Sequence, residues 1–230
     1  MVFDHAYCVN LERCTERRLI MEEEFAKANL EVEFVKAFDS SARGITKSNL
    51  KPGMHPGDYG CLMSHHAVWN DMIEKDYKVA LIFEDDLELC DEFTKRISEL
   101  EFPKFWEIVY LEYISPVSES RATRDMDKGR CLGTMAYLIT QECARKLVQF
   151  NTRNWLGVDT QLAQMPIDAF FTTSRLATHF GLVYSVIGLD PSRIPIYHNA
   201  LFLENQYGGY IAIFIMLVCV FILVKRFGFI

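Results

Sequence analysis

Apolar and polar residues along this chain change period several times, and each change marks an element. Ala6 to Val9 is a short apolar run that predicts a strand. After it, Thr15 stands where an N-cap would open a helix with Met21, Phe25 and Ala28 on one face. Glu31 to Phe38 predicts a second strand, and the Ser, Gly and Pro residues between Asp39 and Asp58 predict a loop. Two rows, Cys61, His65, Val68, Met72 and Leu62, His66, Trp69, Ile73, predict a helix with a broad buried stripe. Val79 to Phe83 is a continuous apolar run of strand length, which suits a central parallel strand covered on both faces. Glu107 to Tyr113 and Arg130 to Ile139 predict two further strands. Thr140 is then placed to cap a helix bearing Ala144, Leu147 and Val148. Past Asn151, Pro166, Gly181, Gly188, Pro191 and Pro195 punctuate short apolar runs, as in loops that close over a site.

This alternation predicts an α/β fold: a doubly wound, mostly parallel sheet with helices on both faces. Tyr207 to Val224 reads YGGYIAIFIMLVCVFILV, an uncharged run of spanning length bounded by Lys225 and Arg226. It predicts one C-terminal transmembrane helix at 207–224, after a globular domain at 1–200 and a linker at 201–206, with a short tail at 225–230. The protein is therefore expected at a membrane, single-pass. Lys225 and Arg226 favour a cytoplasmic tail, whereas the lack of a signal-like opening in Met1 to Leu11 favours a cytosolic globular domain; the second signal decides the expected orientation.

Composition narrows the function classes. The net charge of −7, with scattered Lys and Arg, argues against a nucleic-acid binder, whose phosphate contacts need clustered basic residues. The seven cysteines form no CxxC pair and no disulfide framework, which suits a reducing compartment.

The sharpest chemical signal is VALIFEDD, a buried strand ending in Glu84, Asp85 and Asp86. Open α/β sheets bind ligands beyond the carboxyl ends of their strands. Adjacent carboxylates repel one another and resist desolvation, and a divalent cation such as Mg²⁺ or Mn²⁺ relieves both. A solvated acidic loop is the other reading of the triplet.

Taken with GDYGCLMSHHAVW upstream and GTMAYLITQECARKL downstream, VALIFEDDLEL resembles glycosyltransferase family 25. CVNLERCTERRLIMEEEF, KAFDS, WEIVYLEY and GVDTQLA match further segments of that family in the same order, from Tyr7 to Leu162. The resemblance implies a GT-A-like fold, a nucleotide-sugar donor (UDP-hexose), Mn²⁺ or Mg²⁺, and transfer with inversion to a glycan, lipid-linked or protein acceptor. It makes Asp86 the metal ligand, with Glu84 and Asp85 supporting the cation or the donor ribose. Asn10, Arg13, Arg17, Asp39, Ser64 and His65 are donor-side candidates, since a guanidinium suits diphosphate oxygens. The alternatives are solvated helix-surface arginines and a hydrogen-bonded core histidine. Asp159 is the implied catalytic base, with helix capping as its alternative. His179 and His198 are further metal-ligand candidates from the C-terminal loops.

Met135 and Glu112 depart from the family pattern, which has His and Gly at these places, and so touch acceptor choice or competence. That keeps a catalytically inactive, membrane-tethered sugar- or nucleotide-binding protein in view. A Mg²⁺-binding phosphotransfer receiver is disfavoured, because its acidic pair ends the first strand and here the triplet is mid-chain.

Overall fold

The computed structural model describes residues 2–52, 54–150 and 157–179. Its central sheet is built from β1 (His5–Asn10), β2 (Glu33–Lys36), β3 (Val79–Glu84), β5 (Ile108–Arg121), β6 (Met126–Thr140) and β7 (Ala169–Thr172), in the order β2-β1-β3-β6-β5-β7. β1 pairs parallel with β2 and β3, and β5 pairs parallel with β7. β6 runs antiparallel to both β3 and β5, so it alone is reversed in a mostly parallel sheet. A small antiparallel pair, β4 (Leu87–Leu89) with β8 (Ala177–His179), sits apart from it.

Strand alternation divides the core in two. Tyr7, Ile82, Tyr110 and Tyr137 point to one face, where they meet α2 (Pro56–Glu74), α4 (Gln141–Phe150) and α5 (Val158–Gln164). Cys8, Phe83, Leu111 and Leu138 point to the other, where Met21 and Phe25 of α1 (Thr15–Lys27) and Phe93 and Ile97 of α3 (Phe93–Ser98) cover them. The central strands are consequently apolar on both sides, as the Val79 to Phe83 run predicts.

Local boundaries moved in explicable ways. Thr15 is the first residue of α1 rather than its cap; Cys14 occupies the cap position and makes no side-chain cap bond. Thr140 does cap α4, accepting from the Cys143 amide at 3.2 Å. α2 begins at Pro56, whose fixed φ suits a first helical position, and His55 Nδ1 accepts from the Gly57 amide at 3.1 Å. Its buried residues are Gly60, Leu62, Ser64, His65, Val68, Trp69 and Met72, while His66 bonds Asn70 at the surface.

The expected single-pass membrane anchor is corrected. Among the described residues no helix is long and apolar enough to cross a membrane. α2 has the length, at 19 residues, but carries Asp58, Asp71 and Glu74 and buries one stripe only. The stretch 207–224 lies outside the described residues, as do the loop positions from Gly181 to Pro195 and His198.

Candidate functional site

β1 and β3 end side by side, with Val9 in register with Glu84, so Asn10 and the Glu84–Asp86 turn emerge together at the carboxyl edge. Asn10 donates from Nδ2 to Asp85 Oδ2 at 2.6 Å and to the Cys14 carbonyl at 3.2 Å. Arg17, in the first turn of α1, reaches the same place. Its guanidinium lies 2.5 Å from Asp85 Oδ1 and 2.6 Å from Asp86 Oδ2, and its Nε donates to the Asp85 carbonyl at 3.3 Å. One cation thus bridges two carboxylates. Asp86 Oδ1 is buried and has no hydrogen-bond partner.

The three carboxyls are held unequal. Burial first, and the Glu84 charge second, push the Asp86 carboxyl up to about 6; Asp85 adds to the rise, and Arg17 and His179 oppose it. Burial also raises Asp85, against the pull of Arg17 and Asn10. For Glu84 burial is again the largest influence, but the His65 imidazole, the Thr134 hydroxyl and Arg17 outweigh it and hold the carboxyl below its ordinary value.

Behind this turn lies a polar network within the core. Glu84 Oε1 accepts from Thr134 Oγ1 at 2.7 Å. His65 Nε2 stands 3.5 Å from the same oxygen without a hydrogen bond, and is fully buried. Across the ring, His65 Nδ1 is 2.8 Å from the Tyr137 hydroxyl, with the donor set by the histidine tautomer, and that hydroxyl accepts from Trp69 Nε1 at 3.0 Å. Cys61, one turn before His65 on α2, brings its sulfur into the same group: the ligand atoms of Cys61, His65 and Glu84 all lie within 4.8 Å of one another. His65 is therefore both the hydrogen-bonded core histidine and a potential ligand.

The remaining expected residues fall around this centre. Arg13 pairs with Asp39 on the loop after β2, and Asp39 is held low chiefly by the Ala42 amide, which donates to its Oδ1 at 3.0 Å. Ser64 is scaffold: it accepts from the Phe38 amide at 2.8 Å and donates to the Gly60 carbonyl at 2.6 Å, tying α2 to that loop. The contact is close enough that a Cβ on Gly60 would stand 2.7 Å from the Phe38 carbonyl. Asp159 lies inside the first turn of α5, where Gly157 holds the cap position, and its Oδ1 accepts from the Thr160 amide at 2.6 Å. Its charge acts on the Cys61 thiol, so it belongs to the same end of the sheet.

Glu112 and His179, both singled out in the sequence, meet each other and Arg175 in one cluster. The β5–β6 register shifts between Tyr110 and Glu112, and Tyr110 and Tyr113 pack on one face while Leu111 packs on the other. This irregularity re-aims Glu112. Its carboxylate is fully buried, 3.1 Å from His179 Nδ1 on β8 and 3.4 Å from Arg175 Nε. The hydrogen bond with Glu112 raises the His179 pKa above its usual value. Met135 is buried too, and its sulfur lies over Gly133, whose φ of +92° favours glycine.

A family model described as Glycosyltransferase family 25 (LPS biosynthesis protein) matches residues 3–171. The chain belongs to glycosyltransferase family 25. Human procollagen galactosyltransferase 2 is 27% identical over 197 residues, covering 74% of this chain and 30% of that protein. A glycosyltransferase 25 family member from Aedes aegypti is 27% identical over 180 residues, covering 65% and 28%. The mouse inactive glycosyltransferase 25 family member 3 is 26% identical over 175 residues, covering 64% and 29%. The chain spans less than a third of the length of these relatives.

Proposed function

We propose that this family 25 chain is a glycosyltransferase that moves a hexose from a nucleotide-sugar donor, UDP-galactose or UDP-glucose, to a glycan, lipid-linked or protein acceptor with inversion. The observation that carries the reading is Asp86: a carboxylate at the carboxyl end of a central strand, with one oxygen buried and unpartnered.

That oxygen, with Glu84 beside it, fits a hard divalent ion. Carboxylate oxygens suit Mg²⁺ and Mn²⁺, and such ions are commonly shared with substrate phosphates. Asp86 would hold the ion, supported by Glu84 and Asp85. When bound, it supplies positive charge opposite a departing diphosphate. Asn10 fixes Asp85 through its 2.6 Å hydrogen bond. Arg17 reduces repulsion between Asp85 and Asp86, and its guanidinium can turn to diphosphate oxygens. Arg13 and Asp39 border the donor side. Ser64 acts by fixing the loop that carries Asp39, and His65 by holding Glu84. Asp159 has an oxygen not engaged by Thr160 and serves as base for the acceptor hydroxyl; its proton departs as the sugar carbon is attacked.

A second reading rests on Arg17. Its guanidinium already spans the acidic pair, which suits a member that binds donor without turning it over. A screen of nucleotide sugars with Mn²⁺, reading transfer and donor hydrolysis, separates the two. Turnover with one UDP-hexose is expected; saturable UDP binding without turnover of any donor would favour the inactive reading.

A further inference from the structure

We propose that Cys61 Sγ, His65 Nε2 and Glu84 Oε1 form a second divalent-cation site, distinct from Asp86 and of the sulfur-containing kind that takes Zn²⁺. Their ligand atoms lie within 4.8 Å of one another, Cys61 and His65 from α2 and Glu84 from β3. The independent observation is His65. Its ring is fully buried, and Nε2 makes no hydrogen bond, standing 3.5 Å from Glu84 Oε1 as a long ion-pair contact only. A buried polar nitrogen without a hydrogen bond carries a desolvation cost that the long Glu84 contact offsets only in part and that a bound cation removes.

The chemistry selects the ion. Thiolate with imidazole and carboxylate suits Zn²⁺ and Co²⁺, whereas Mg²⁺ and Mn²⁺ favour oxygen alone. For bonds of about 2.0–2.1 Å to nitrogen and oxygen, a tetrahedral site needs these two ligands about 3.3 Å apart. His65 Nε2 and Glu84 Oε1 stand 3.5 Å apart, close to that edge. Ligation by Nε2 requires the proton on Nδ1, and the Tyr137 oxygen has two lone pairs, enough to accept from both His65 and Trp69. Metal-binding histidines are commonly oriented in this way, by a partner on the other nitrogen. Binding forms a sulfur–metal bond and releases the Cys61 thiol proton to solvent. Three protein ligands leave a fourth position open. The site shares Glu84 with the cation proposed at Asp86, and the band kept in Asp86→Asn is what tells the two apart.

Cobalt titration of the full chain, followed by absorption, tests this. The expected result is a thiolate-to-Co²⁺ charge-transfer band, retained in Asp86→Asn and lost in Cys61→Ser. His65→Gln is expected to weaken cobalt binding at least about tenfold. Zn²⁺ should displace Co²⁺ and abolish the band. Absence of any such band in the wild-type chain overturns the proposal, as does a band that persists in Cys61→Ser. If Cys61→Ser does not fold, His65→Gln decides: cobalt affinity equal to wild type would overturn the site.

Discussion

Replacing Asp86 by Asn is expected to lower sugar transfer at least about a hundredfold while making the domain harder to unfold. The two effects share a cause. Burial and the Glu84 charge push the Asp86 carboxyl up to about 6 from an ordinary 3.8, so the folded chain holds this proton more tightly than the unfolded chain does. Stability from this group is therefore greatest below the unfolded value and falls as pH rises through about 6. At pH 7 the full cost applies, on the order of 2–3 kcal/mol before relaxation. The Asp86 side chain is 23% exposed, so only part is screened. Asparagine keeps the shape, removes the charge and recovers ~1–2 kcal/mol. Denaturant midpoints at pH 7 should rise in Asp86→Asn, and the difference from wild type should vanish as pH falls towards 4. A stable variant with unchanged turnover would separate Asp86 from the chemistry. A variant both inactive and destabilised would instead point to a structural role.

The second large effect is expected at Tyr137. Its hydroxyl meets His65 Nδ1 and Trp69 Nε1 where all three side chains are almost wholly buried. Burial also raises the Tyr137 pKa, which keeps the hydroxyl neutral and available to both partners. Tyr137→Phe removes one oxygen and strands two buried polar groups, a loss of ~2–4 kcal/mol. The denaturant midpoint should fall with an unchanged slope. A Trp69→Phe/Tyr137→Phe double variant should lose less than the sum of the two single losses, because the indole is then no longer left unpaired. Since His65 also loses its orientation, cobalt affinity should fall about ten- to a hundredfold. Additive losses in the double variant would mean that the hydroxyl does not couple these groups.

Much of this arrangement was legible in the residues, for stated reasons. Val79 to Phe83 reads as a central strand because both its faces are covered, and the α2 stripe holds at Val68, Trp69 and Met72, which face the core, but not at His66. The reversal of β6 was not legible. A strand buried on both faces presents the same apolar run in either direction, so Ala136 to Ile139 carries no sign of polarity. The far halves of β5 and β6 were also missed from Ser115 onward, where largely exposed polar residues break the apolar pattern on β5.

At the site, the acidic turn was visible as a motif, and family resemblance supplied Asn10, Arg17 and His65. Their partners were not visible. Asn10 and Asp85 are 75 residues apart and meet because β1 and β3 are neighbours. Glu112 read as an added charge near the site; only the irregular register turns it onto His179. Cys61 looked like one of several unpaired cysteines, although its place one turn before His65 was the signal that could have marked it.

Cation-assisted capture of a donor by the acidic turn is the step on which the proposed activity depends, and calorimetry reads it directly. UDP titrated into the full chain with Mn²⁺ present is expected to bind saturably in wild type, to weaken sharply when Mn²⁺ is chelated, and to weaken about as much in Asp86→Asn with Mn²⁺ restored. UDP affinity indifferent both to Mn²⁺ and to Asp86, or no nucleotide binding at all, would contradict it.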